Sequence, residues 1–200
     1  MKKTYFIALF NIGKHTSLNS IIFQAISWCL FYITSLLLEL NLTIFSSIAQ
    51  YIKLIGLIFF IISPILFVFF LAILVIESFE RLIYDSWLNM IRSIIQTFQL
   101  RSFLIQREHT ERYISMDNQT VLSYNPINRS FNRAIKKSVV DIRKNEIRVF
   151  IKLPRTQQGQ EVLRKMEAHI MEEISNLNPN YYFSKPNRIK RTLWINGQKR

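Results

Sequence analysis

The chain has 200 residues, 26 Lys or Arg against 13 Asp or Glu, a formal net charge of +13, and half of its residues are hydrophobic. That length accommodates two membrane segments and one small domain of about 100 residues or fewer, which leaves no room for a large multidomain enzyme. A single cysteine, Cys29, excludes an internal disulfide.

Residues 1–15 read as a short basic cytoplasmic segment, with Lys2, Lys3 and Lys14. Thr16–Leu38 contains no charged side chain and reads as a first transmembrane helix. Its apolar part is too long for a signal peptide, and no small-x-small cleavage pattern ends it. Residues 39–53 read as a short external loop. Leu54–Ile76 is the dominant feature: 23 residues without a charge, bounded by Lys53 and Glu77. At 1.5 Å per residue it spans the ~30 Å hydrocarbon core with some tilt. Pro64 near its middle is tolerated in a membrane helix, where neighbours satisfy the freed backbone groups. Lysines precede the first span, and Arg81, Arg92, Arg101 and Arg107 follow the second. That bias predicts a multi-pass protein of the bacterial plasma membrane with both termini cytoplasmic.

Residues 77–106 read as one amphipathic juxtamembrane helix, because Phe79, Leu82, Ile83, Trp87, Met90, Ile91, Ile94 and Phe98 recur at helical spacing. Two placements remain open, along the membrane surface or against a neighbouring helix as an oligomer seam. Residues 107–138 read as a polar linker, with one short strand at Thr120–Tyr124 and one helical turn at Phe131–Lys137. Residues 139–200 change period. Val139–Arg143 and Ile147–Leu153 alternate around Lys144-Asn145, a hairpin signature that Pro154 stops. Thr156 caps a helix striped by Val162, Leu163, Met166, Ile170, Ile174 and Leu177. Tyr181–Phe183 and Ile189–Ile195 read as two more strands. The expected fold is therefore a membrane α-helical hairpin of two transmembrane helices followed by a small cytoplasmic α+β domain, β-β-α-β-β.

The chemistry-bearing residues do not converge in sequence. The four glycines build no phosphate-binding loop. His15, His109 and His169 are far apart, Glu172 and Glu173 point in different directions on their helix, and no nucleophile has a motif around it. The expectation is a non-enzymatic chain with no catalytic residues, metal or cofactor. The basic residues are more informative: residues 101–200 hold 20 Lys or Arg against 9 Asp or Glu, so +11 of the +13. Arg143, Lys144, Arg148 and Lys152 lie on or beside the hairpin, and Lys185, Arg188, Lys190 and Arg191 beside the last strand, with Trp194 among them. Cations interleaved with aromatics on strands suit phosphate contact with base stacking, or contact with anionic lipid. The plainer reading is a soluble sheet whose exposed face is basic.

Two spans, a juxtamembrane helix, then NEIRVFIKLP, a helix, YYF and RIKRTLWING form a layout that resembles the membrane-anchored front part of FtsK/SpoIIIE-type DNA translocases. It is most similar to the conjugative coupling proteins of Gram-positive mobile elements. In residues, Ile147–Pro154 and the Trp194 strand carry the likeness. In that family this part anchors a hexameric DNA-pumping motor. The ATP-binding loops of the family are missing here, so the resemblance implies a stand-alone or truncated anchor module and carries over no catalytic residue. The expected function is an anchor or accessory protein for plasmid or conjugative DNA handling. Its expected partners are the lipid bilayer, DNA bound weakly and without sequence preference, a motor or relaxase, and further copies through the membrane helices. The alternative is a membrane scaffold or sensor whose head binds another protein and the anionic inner leaflet.

Overall fold

The protein is described by a computed structural model covering residues 4–39, 43–107, 109–114 and 120–200. The chain divides into two compact units with the boundary between Glu80 and Arg81.

The first unit consists of α1 (Tyr5–Glu39) and α2 (Thr43–Tyr84) up to Glu80. Both helices are long and apolar enough to cross a membrane. Their shared surface is made of small residues at a seven-residue spacing. Gly13, Ser20, Ser27 and Thr34 on α1, and Ala49, Gly56 and Ser63 on α2, are all buried. A strict seven-residue repeat keeps one seam facing its partner, and small side chains let the two backbones approach. The Ser20 hydroxyl donates to the Ser63 carbonyl at 3.0 Å, and the Ser63 hydroxyl donates back to the Ser20 carbonyl at 2.9 Å. Seven residues farther along, about two turns, the Ser27 hydroxyl donates to the Gly56 carbonyl at 3.0 Å. A Cβ on Gly56 would lie 3.1 Å from the Phe31 ring, closer than side chains normally sit. Residues 43–53, expected as loop, are instead the opening turns of α2. A helix satisfies its backbone amide groups within itself, so this stretch needs no outside partner to continue α2.

The second unit, Arg81–Arg200, begins with the last turn of α2. The single helix expected over 77–106 is broken at Asp85-Ser86, where the Ser86 hydroxyl caps α3 (Trp87–Leu104) by accepting from the Leu88 N–H at 3.3 Å. The expected linker is largely structured. It contains the antiparallel pair β1 (His109–Ile114) and β2 (Thr120–Tyr124), then α4 (Pro126–Ile135), which Asn125 caps and Pro126 opens. The strand expected at Thr120–Tyr124 is present, and of the turn expected at Phe131–Lys137 the residues Phe131 to Ile135 are the last of α4.

Next come β3 (Val139–Ile142), β4 (Glu146–Lys152), α5 (Gln157–Leu177), β5 (Tyr181–Phe183), β6 (Asn187–Ile189) and β7 (Thr192–Lys199). They form an antiparallel sheet ordered β3-β4-β7, with β5 and β6 both on the far edge of β7. Three residues, Ser184 to Pro186, sit opposite Ile195 and Asn196, so β5 and β6 are one edge strand interrupted by a bulge where Pro186 has no N–H to offer. The strand expected over Ile189–Ile195 is a tight hairpin instead. Its two-residue turn, Lys190-Arg191, takes Lys190 to φ 54°.

Val140, Ile142, Ile147, Val149, Ile151, Leu193 and Ile195 form the core face of the sheet, as the period-two pattern requires. Leu163, Ile170 and Ile174 of α5 pack there, together with Phe131 and Ile135 of α4 and Leu100 and Leu104 of α3. The head therefore starts some fifty residues before the boundary expected at residue 139, because its core needs α3 and α4 as well as α5.

Candidate functional site

Helix α3 closes the exposed edge of the sheet. On β3, Val140 and Ile142 point their N–H groups away from β4, which would leave them as a template for another strand. The Thr97 hydroxyl oxygen accepts from Val140 N–H at 3.0 Å, and that of Ser93 from Ile142 N–H at 2.8 Å. Arg101 Nε donates to the Ser138 carbonyl at 2.8 Å. Burial pulls the Arg101 guanidinium down from 12.5 to about 10, so it stays charged at neutral pH. Asn89 completes the series, donating to Asp85 at 2.6 Å. The sequence signal is a spacing of four, Asn89, Ser93, Thr97 and Arg101 on α3, preceded by Asp85 at the break before it; of these the sequence pattern singled out only Asp85 and Arg101, as interruptions of the apolar stripe.

At the start of this unit Arg81 is almost fully buried and bridges two carboxylates. It pairs with Asp85 at 2.8 Å and with Asp141, and donates to the Ile142 carbonyl at 2.6 Å. Asp85 also accepts from the Lys144 N–H at 2.9 Å. Buried charges persist when paired and hydrogen-bonded in this way, and removing one partner costs about 3–5 kcal/mol.

The nine residues singled out from sequence do not form one surface. Arg143 turns back to Asp141 at 3.2 Å, and Arg148 pairs with Glu146 at 2.8 Å. Lys144 is exposed beside them. Trp194 is only 3 % exposed and packs edge-on against Phe150, with ring centroids 5.2 Å apart. Its ring is not offered to a base, so the stacking part of the expectation is corrected. The reason is register: Phe150 lies directly opposite Trp194 and next to Val139, a contiguous apolar patch on the second face of the sheet.

Lys152, Lys190 and Arg191 lie at one end of the sheet, whereas Arg188, opposite Leu193, is on the α5 face, where it donates to the Gln160 side-chain carbonyl at 2.7 Å in a pocket that Glu161 and Glu167 also line. The register places Lys152 opposite Thr192, and Leu153 N–H donates to the Arg191 carbonyl at 3.1 Å. Lys136 and Lys137 lead into β3 at this same end, since Val139 pairs with Phe150 and the Ser138 hydroxyl accepts from Lys152 N–H at 3.4 Å. Segments 136–139, 151–156 and 187–193 contain no acidic residue. Lys185 stands apart, in the β5–β6 bulge.

The chain matches no protein-family model, no curated protein and no solved structure.

A cavity of ≈ 350 Å³ beside α3 is lined in part by Arg92, Gln96, Asn178 and Tyr181. The Gln96 and Asn178 amides are hydrogen-bonded to each other, at 2.9 Å in both directions. Among the described residues, no three His, Cys, Asp or Glu side chains gather as a metal cage requires.

Proposed function

We propose that the chain is a non-enzymatic membrane anchor or accessory subunit for plasmid or conjugative DNA handling, whose head touches DNA through its phosphates while a partner supplies any motor or relaxase. In this reading α1 and α2 form a multi-pass anchor in a bacterial plasma membrane, with both termini cytoplasmic. The observation that supports it is the gathering of Lys136, Lys137, Lys152, Lys190 and Arg191 at one end of the sheet. Lysine and arginine side chains of this kind neutralise backbone phosphates, contacts that carry no sequence information. With Trp194 and Phe150 buried, stacking adds nothing and binding rests on counterion release.

The test uses the full chain in nanodiscs of neutral lipid, titrated with duplex DNA across a salt series. Binding should be visible at low salt, indifferent to sequence, and mostly lost near physiological salt. Replacing Lys190 and Arg191 by Ala should flatten the log–log salt slope by up to about two units, at 0.9 per phosphate contact. If DNA is ignored even at low salt and anionic vesicles are bound instead, the scaffold reading takes its place.

A further inference from the structure

We infer that α3 is an interfacial membrane helix: the face it turns away from the head lies in the lipid headgroup and upper acyl region of the bilayer. This rests on the reading that α1 and α2 cross a membrane.

The argument begins with the inverted polarity of the helix. An amphipathic helix on a soluble domain turns its apolar stripe inward and its polar stripe to water. Over its first three turns α3 does the opposite, because the edge of β3 demands hydroxyls and Ser93 and Thr97 supply them. The apolar stripe faces outward. Trp87, Leu88, Ile91, Ile95 and Phe98 are each between 46 and 64 % exposed, and at 100° per residue they fall within an arc of about 100°. Scattered apolar residues on a surface need no explanation, but a continuous stripe of five large ones does.

Two observations select lipid as the occupant. The first is continuity. Leu82, Ile83 and Tyr84 at the end of α2 are more exposed still, and only Asp85 and Ser86 separate them from Trp87. The apolar surface thus runs from the last turn of α2 into α3 with a break of two residues, and a Trp and a Tyr stand at that break, the residue types that settle at headgroup depth. The second is charge. α3 contains no acidic residue, and Arg92 beside the stripe is exposed. A cation flanking an apolar stripe suits an anionic leaflet. The head is then held at the surface by its own helix, with the edge of β3 sealed beneath it.

The test is spin-label accessibility in the full chain, with Cys29→Ser, reconstituted in vesicles of phosphatidylethanolamine and phosphatidylglycerol. Labels go singly at Ile91→Cys and Ile95→Cys, with Val68→Cys in α2 and Lys165→Cys in α5 as references, both exposed. The oxygen-to-nickel collision ratio at 91 and 95 should match that at 68 and exceed that at 165 severalfold. Ratios like that at 165, with 68 still in lipid, would place α3 in water and overturn the inference while leaving the anchor reading intact. Labels at 91 and 95 shielded from both reagents would mean that protein covers the stripe, which also overturns it. Nickel access at 68 itself would remove the membrane reading and this inference together.

Discussion

Thr97 and Val140 are joined across two elements: the side-chain oxygen of one takes the backbone N–H of the other at 3.0 Å, where a neighbouring strand would otherwise bind. Thr97→Val keeps the shape and removes the acceptor. It should cost about 1–3 kcal/mol, the penalty of an unsatisfied buried donor. Hydrogen exchange should quicken at the Val140 amide first, and Ser93→Ala should do the same at Ile142. Unchanged protection at both amides would show that the hydroxyls are incidental to the edge.

The extent of the folded head can be tested by truncation. A fragment of residues 138–200 lacks Leu100, Leu104, Phe131 and Ile135 from its core and exposes the edge of β3. It should aggregate or stay unfolded, whereas residues 81–200 in mild detergent should show mixed helix and strand by circular dichroism. A cooperative unfolding transition from the shorter fragment would mean that α3 and α4 are accessories.

The seam of the helical hairpin predicts a cross-link. The Ser20 and Ser63 hydroxyl oxygens are 3.4 Å apart. Ser20→Cys with Ser63→Cys, in a Cys29→Ser background, should form an intramolecular disulfide under mild oxidation in membranes. Gly56→Ile should suppress it, because its side chain would run into Phe31 and Leu30. Equal cross-linking from Ile21→Cys with Ser63→Cys would argue against a unique seam.

Lys190 separates stability from binding. Its φ of 54° costs an L-residue with a Cβ about 1 kcal/mol and costs glycine little. Lys190→Gly should therefore stabilise the head by up to about 1 kcal/mol, while lowering the DNA salt slope by about 0.9. A weaker head with unchanged DNA binding would reverse both parts of the argument.

Tyr181 sets an alkaline limit. Burial raises its phenol above the ordinary value of 10.0; Asp85 adds to the shift and Arg92 opposes it. The phenol donates to the Arg143 carbonyl at 3.0 Å. The folded state thus keeps this proton longer than the unfolded chain does. The resulting stability is full below pH 10.0 and declines as pH rises from there through the folded value. Tyr181→Phe should lose about 1 kcal/mol at neutral pH and flatten the alkaline decline, as read by denaturant titration at several pH values.

Sequence alone determined the features that depend on local period and length. Leu54–Ile76 and Thr16–Leu38 announce membrane-length helices because hydrocarbon tolerates no polar face. The β3–β4 hairpin and α5 were legible because alternation and a 3.6-residue stripe each admit one buried side. The seven-residue series Gly13, Ser20, Ser27, Thr34 was also written in the chain, but it reads as a seam only beside its counterpart on α2. Tertiary structure decided the rest. It made Ser93 and Thr97 inward residues, since a strand edge with free N–H groups outranks the usual preference for apolar contact. It buried Trp194 against Phe150 through a strand register fixed by residues far apart in sequence. It paired Arg143 with Asp141 and Arg148 with Glu146 and turned Arg188 to Gln160, while Lys152, Lys190 and Arg191 fell at one end of the sheet, because which groups meet depends on strand order, and strand order is settled by packing.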